Sequence, residues 1–300
     1  MKKQKVIPQT LQIKSGVGGN PRSRILIGTP TLGTIRMEWA LSRFGAVIPC
    51  NWSSASIPIG MGNVVPLHYL VADGQNLIVQ HALEQNFEWV LLWEDDVMAP
   101  LEVFLKFNEY MKKCTIPIVS GLYFTKGNYS EPIVYRGNGH SCFDDFKMGE
   151  KVWVDGVPTG MLLIHTSILR LMWNESKEYV TVGGLKTRMV FKTPVDVFYD
   201  PQSFTPTGSG ATSDLNWCGR VIREKVLERA GWSEIGKKKY PFLCDTTIMC
   251  PHIDLNTGIQ YPIVLPEKWI KQLKDEMISK VKDSIRRQKN PKYNAEKIMV

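Results

Sequence analysis

Short, nearly unbroken apolar runs alternate along the chain with segments in which apolar residues return every three or four positions. Runs of the first kind predict strands buried on both faces, and segments of the second kind predict helices laid on a sheet by one side. The first run is Ile25-Leu-Ile-Gly28, halted by Gly28 and Pro30. Residues 35–44 place Ile35, Trp39, Leu41 and Phe44 roughly on one helical face, residues 46–49 read as a strand, and 51–65 form a Ser/Gly/Pro-rich stretch. A helix over 67–85 leads into Phe87-Glu-Trp-Val-Leu-Leu-Trp93, an apolar run that ends at three consecutive acids. Strand, helix and strand with short links form a βαβ unit, so the fold class is α/β and this strand is expected to be parallel to the first.

Further along, the periodicity predicts a helix over 100–113, a strand over 116–123 and a loop-rich region over 127–150. Strands follow at 152–155 and 161–165 around the bend Val157-Pro-Thr-Gly160, then a helix over 167–173. Residues 181–211 are polar and Gly/Pro-rich, too long for a plain connector, and are expected to cover a substrate. A helix over 213–230, a strand over 242–250 and a long basic helix over 266–288 complete the chain.

With 43% hydrophobic and 22% charged residues in 300, the chain has material for a substantial core and lacks the profile of disorder. The formal charge of +8 is concentrated at Lys2, Lys3, Lys5 and Lys14, at Lys237 to Lys239 and between Lys268 and Lys297, leaving the middle near balance. That distribution speaks for surface and tail chemistry and against a groove built for nucleic acid. The six cysteines, at 50, 114, 142, 218, 244 and 250, form no CxxC pair and no zinc-finger spacing, and read as reduced thiols. No apolar h-region follows Lys2 and Lys3 and no run reaches the ~18 apolar residues of a membrane span, so a cytoplasmic location is expected.

Candidate chemistry gathers at Glu94-Asp95-Asp96, at the carboxyl end of an apolar strand where open α/β sheets collect their ligands. Three carboxylates there repel one another and lose solvation, which a hard divalent cation such as Mn²⁺ or Mg²⁺ relieves. The plainer alternative is that the acids end the strand in solvent or favour the helix after Pro100. Two further residues are open to two readings in the same way. His252 follows a strand and a proline, as a ligand or as a structural histidine; Asp214 opens a helix with Thr212 and Ser213, as an acid of the site or as part of the helix start.

Six segments, taken in order, resemble the GT-A glycosyltransferases, especially the family 2-like group: Ile25–Pro30, Asn76–Ala82, Val90–Val97, Val157–Ile164, Thr212–Cys218 and Cys244–His252. The likeness covers residues 24–254 and implies a GT-A (Rossmann-like) fold with a mixed, mostly parallel central sheet flanked by helices. It implies a metal-dependent transfer of a sugar from a UDP- or GDP-linked donor to an acceptor hydroxyl, the acceptor being a carbohydrate, a protein or a lipid-linked molecule. Asp96, His252 and Glu94 would hold Mn²⁺ or Mg²⁺, and Asp214 would act as general base in an inverting reaction. Thr29, Pro30 and Thr31 would read the nucleobase and ribose through exposed backbone groups and a hydroxyl; Asp73, Glu94, Asp95 and Gly160 would complete the donor site. Trp217, Trp153 and Tyr123 are candidates to stack on sugar faces. The sequence departs from the family pattern at Glu94, where the first acid is usually Asp, at Ser213 before Asp214, where Glu is usual, and at Gln75, often Arg.

The chain divides into a loose arm over 1–22, a glycosyltransferase domain over 23–265 and a basic helical tail over 266–300. The tail carries Trp269, Ile270, Leu273, Met277, Val281 and Ile285 at steps of three and four. Docking on the domain or homo-oligomerisation is its default use, and an anionic membrane surface is the third. Two other functions compete. A nucleotidyltransferase would need a basic phosphate loop that Gly28–Gly33 lacks, and a non-catalytic nucleotide- or carbohydrate-binding protein would not need Asp96, Asp214 and His252 together.

Overall fold

The computed structural model describes residues 25–49, 61–137, 142–200 and 205–288, and of 195–200, 205–210 and 285–288 the backbone alone. The arm over 1–22, most of the stretch over 51–65, Cys50 and the end of the tail lie outside the described residues.

The first part of the chain alternates strands and helices: β1 (Ile25–Gly28), α1 (Met37–Gly45), β2 (Met61–Val64), α2 (Val71–Glu84), β3 (Trp89–Trp93), α3 (Val103–Lys113) and β4 (Ile118–Leu122). Then follow β5 (Lys151–Val154), β6 (Met161–His165), α4 (Thr166–Glu175) and two hairpins, β7 (Glu178–Val180) with β8 (Lys186–Arg188) and β9 (Val195–Asp200) with β10 (Thr205–Gly210). The chain continues through α5 (Ser213–Arg223), α6 (Val226–Arg229), α7 (Ser233–Gly236) and β11 (Phe242–Met249). It ends with the short pair β12 (His252–Ile253) and β13 (Gln260–Tyr261) and the long α8 (Glu267–Gln288).

Seven strands form one mixed sheet in the order β2-β1-β3-β6-β4-β11-β5. The pairings β1/β2, β1/β3 and β4/β11 are parallel, whereas β6 runs antiparallel to both β3 and β4 and β5 runs antiparallel to β11. The sheet is therefore mixed, as expected, but with three parallel and three antiparallel pairings rather than a parallel majority. Five strands point one way, and β5 and β6 run opposite to them.

Side-chain alternation along β3 divides the core. Val90 and Leu92 face α2, α4 and α5 through Ile78, Leu169 and Trp217, while Trp89, Leu91 and Trp93 face α1 and α3 through Trp39, Phe104 and Phe107. All five β3 side chains are buried, each aliphatic one contributing roughly 1.5–3 kcal/mol. Both faces being covered is why this strand reads as one apolar run rather than an alternating one.

Several expected elements moved. Residues 46–49 form no strand; Val47 instead donates its amide to the Leu101 carbonyl at 2.9 Å. The edge strand β2 lies in the Gly/Pro-rich stretch, only partly buried and carrying Gly62 and Asn63, so no apolar run announced it. The helix expected over 213–230 breaks at Lys225, whose φ of 49° is left-handed, and resumes as α6. The polar stretch over 181–211 holds β8 and the β9/β10 hairpin.

Candidate active site

The ends of β1, β3, β4 and β11, the start of β6 and the first turn of α5 converge on one patch. Two backbone ties assemble it. Met98 donates its amide to the Pro251 carbonyl at 2.8 Å and Ile253 donates to the Asp96 carbonyl at 2.7 Å, so the segment after β3 is stapled to the segment after β11. On the other side the Glu94 amide donates to the Gly160 carbonyl at 3.0 Å, fixing the start of β6 beside the acids.

These ties bring Asp96 and His252 together, with His252 Nε2 3.2 Å from Asp96 Oδ2. His252 Nδ1 lies 2.8 Å from the Phe124 carbonyl oxygen. A carbonyl only accepts, so Nδ1 donates there, which fixes the ring and turns Nε2 toward the carboxylate. A proton or a metal ion between Nε2 and Oδ2 would join the two. Lys126, in the loop after β4, places its ammonium 2.6 Å from the same Asp96 oxygen. Burial raises the Asp96 pKa, but the hydrogen bonds and charges of His252 and Lys126 outweigh it and hold the carboxyl below its ordinary value.

Glu94 lies deeper. Its Oε1 accepts from Thr159 Oγ1 at 2.9 Å, and Thr159 Oγ1 in turn accepts from Gln75 Nε2 at 2.9 Å, a buried relay from α2 to the acid. Burial first, then the charges of Asp96 and Asp214, pushes the Glu94 carboxyl up to about 8. Asp214, in the first turn of α5, is also raised by burial, against the opposing hydrogen bonds of Thr212 and the Leu215 amide. Its charge is felt at both Glu94 and Tyr123, so it faces the same patch. Asp95 is raised by burial and opposed by a hydrogen bond from Thr31, which ties the end of β1 to the end of β3. Asp96 and His252 set an oxygen and a nitrogen donor side by side, a pair that a divalent cation accepts, whereas the three-donor group within ligand distance among the described residues is another, Glu88, Cys114 and His165.

Other expected site residues serve the frame. Thr29 and Thr31 are buried, with their amides donated to the Val64 and Pro66 carbonyls, and the Thr31 carbonyl accepts from the His68 amide. These two amides and the Thr31 carbonyl are thus bonded to the segment from Val64 to His68. Pro30 is packed against α2 at Gly74, where a Cβ would come within 2.9 Å of the proline ring. Asp73 accepts from Tyr179 Oη at 2.6 Å and from the Val182 amide at 3.3 Å, so it tethers the β7/β8 hairpin to α2. Gly160 serves an internal close approach: its amide donates to Tyr123 Oη at 2.9 Å, and an added Cβ would sit 2.4 Å from that oxygen.

Trp217 is fully buried and stacked on Phe191 at 5.4 Å, a core residue rather than a sugar platform. Tyr123 is buried with its ring edge against His252, and Trp153, on β5, carries the Lys238 ammonium 4.2 Å from its centroid. Lys126 and Thr159 were missed by sequence reasoning. The available signal was position, since each lies within a few residues of a buried strand end on the side where the acids emerge.

No family model matches the chain, and no curated protein matches it. Among solved structures, the crystal structure of A197 from STIV aligns over 77% of this chain and 87% of its own length, at 14% identity and a TM-score of 0.45.

Proposed function

We propose that this protein is a divalent-metal-dependent glycosyltransferase that moves a sugar from a nucleoside-diphosphate donor to an acceptor hydroxyl. The supporting observation is the meeting of His252 Nε2 and Asp96 Oδ2 at 3.2 Å, with the imidazole pinned from behind by the Phe124 carbonyl. Asp96 and His252 would hold Mn²⁺ or Mg²⁺, with Glu94 as the third donor once its proton leaves. When bound, the ion neutralises the donor diphosphate and stabilises the departing nucleotide.

The remaining chemistry belongs to the chain. Asp214 takes the proton from the acceptor hydroxyl as that oxygen attacks the anomeric carbon opposite the nucleotide. Its raised pKa suits a base working closer to neutrality than an ordinary aspartate. Lys126 stands where its ammonium can turn from Asp96 to a phosphate oxygen. The relay of Gln75 and Thr159 fixes which Glu94 oxygen stays bound to the frame and leaves the other for the site.

Thermal unfolding in the presence of UDP- and GDP-sugars, with and without Mn²⁺, tests the donor site. A ligand at a hundredfold excess over its Kd stabilises by about 2.7 kcal/mol. The expected result is a shift that needs both nucleotide and metal and is lost in Asp96→Asn and His252→Ala, with transfer reduced about 10²-fold or more. A protein whose melting no nucleotide shifts, under any metal condition, lacks this donor site.

A further inference from the structure

Helix α8 is anchored only at its root. Trp269 is buried between Phe124 and Phe146, with ring centroids at 5.7 and 5.0 Å, and donates its indole N–H to the Phe146 carbonyl at 2.9 Å. Gln272 closes the anchor by exchanging two hydrogen bonds with the Met148 backbone at 3.0 Å, and Lys268 pairs with Asp144. From residue 273 to residue 284 every side chain is exposed, including Leu273, Met277, Ile278 and Val281. Helical stability in proteins comes mainly from packing an apolar face, and among the described residues this length of the helix has no side chain buried against the domain.

The exposed apolar side chains and the charges around them say what the face fits. At 3.6 residues per turn, Leu273, Met277, Val281 and Ile278 span an arc of about 140°, wider than the narrow seam of a two-helix coiled coil. Lys271 and Lys280 border that arc on its two sides, and Asp275, Glu276 and Asp283 lie on the opposite side of the helix. Lys274 falls inside the arc, where its stem can lie along the apolar surface with the ammonium reaching outward. Residues 266–300 hold ten Lys and Arg against five Asp and Glu, so five of the eight net positive charges of the whole chain sit in this tail. Two copies of such a tail repel, and a nucleic acid has no use for the apolar residues. No helix among the described residues is long and apolar enough to cross a membrane.

We propose that α8, from Leu273 onward, lies on the surface of a bilayer containing anionic lipids, with Leu273, Met277, Ile278 and Val281 in the acyl boundary and the flanking lysines among the headgroups. This surface is separate from the metal-binding acids and does not depend on the reaction they catalyse.

The full chain is tested by co-sedimentation with vesicles of phosphatidylcholine alone and of phosphatidylcholine mixed with phosphatidylglycerol, together with sedimentation velocity in the absence of lipid. Expected are a bound fraction about tenfold or more higher on the mixed vesicles, weakening with salt, and a monomer in solution. The triple substitution Leu273→Ser, Met277→Ser and Val281→Ser should abolish binding. It should leave the melting temperature unchanged, because these side chains are outside the core. Replacing Lys271, Lys274 and Lys280 by Gln should weaken binding to the mixed vesicles selectively. Failure to bind the mixed vesicles, undiminished binding by the triple serine variant, or a wild-type dimer that the serine variant dissolves would each overturn the proposal.

Discussion

His252 and Asp96, 156 residues apart in sequence, meet at 3.2 Å, and Lys126 approaches the same carboxylate oxygen at 2.6 Å from a third segment. The ammonium therefore occupies one side of the position that the proposed divalent ion would take, so its binding would require Lys126 to yield.

Lys126→Met is expected to tighten Mn²⁺ binding about tenfold while lowering the melting temperature of the metal-free protein, since Asp96 is left partly buried without that counter-charge. Manganese titration by electron paramagnetic resonance reads the first effect and calorimetry the second. An unchanged manganese affinity would show that the lysine does not compete.

Glu94 gives the pH dependence a definite sign. With its carboxyl raised to about 8, the folded protein keeps a proton that the unfolded chain releases near 4.5. Stability of the metal-free protein should therefore fall as pH rises through that window, with the full loss in force above it. Glu94→Gln retains an oxygen for Thr159 and removes the charge. Above pH 8 it should raise stability by about 2 kcal/mol, roughly 4 °C in melting temperature, and flatten the slope below it. A variant with the wild-type slope would place the titrating group elsewhere.

Gly160→Ala sets a Cβ against Tyr123 Oη and the Val97 side chain, at 2.4 and 2.8 Å. Forcing that methyl into a close-packed position should cost about 1–3 kcal/mol and displace the Gly160 carbonyl that holds the Glu94 amide. Denaturant unfolding gives the first quantity, and a fall in metal affinity at temperatures where the variant stays folded gives the second.

Asp73→Ala should release the β7/β8 hairpin while leaving the acids in place. Tyr179 then loses its carboxylate partner, a cost of about 1–3 kcal/mol, and the exposed Val182 turn loses its tether. Limited proteolysis at residues 181–185 should accelerate, with Mn²⁺ binding unchanged. Loss of nucleotide affinity without faster cleavage would instead make Asp73 a ligand contact.

The sequence made some of this legible for physical reasons. β3 is buried on both faces, so its five residues form an uninterrupted apolar run, and the acids at its end stand out because a sheet end is where carboxylates face a ligand. Asp214 and His252 were readable as candidates by order along the chain. Strand direction was hidden, because the apolar run of β6 is the same whether it pairs parallel or antiparallel. β2 was hidden because an edge strand carrying Gly62 and Asn63 has no apolar signature. Lys126 was hidden in a polar loop, where one lysine looks like any other until the backbone places it beside Asp96. At Thr29 and Thr31 the sequence shows only a strand end, and the bonding of their amides by the chain from Val64 to His68 emerges in the structure alone.

Phe124 faces two ways, its carbonyl aiming the His252 imidazole and its ring seating Trp269 at the base of α8. The root of the far helix and the seat of the histidine thus share one residue, so a substitution at Phe124 would loosen both.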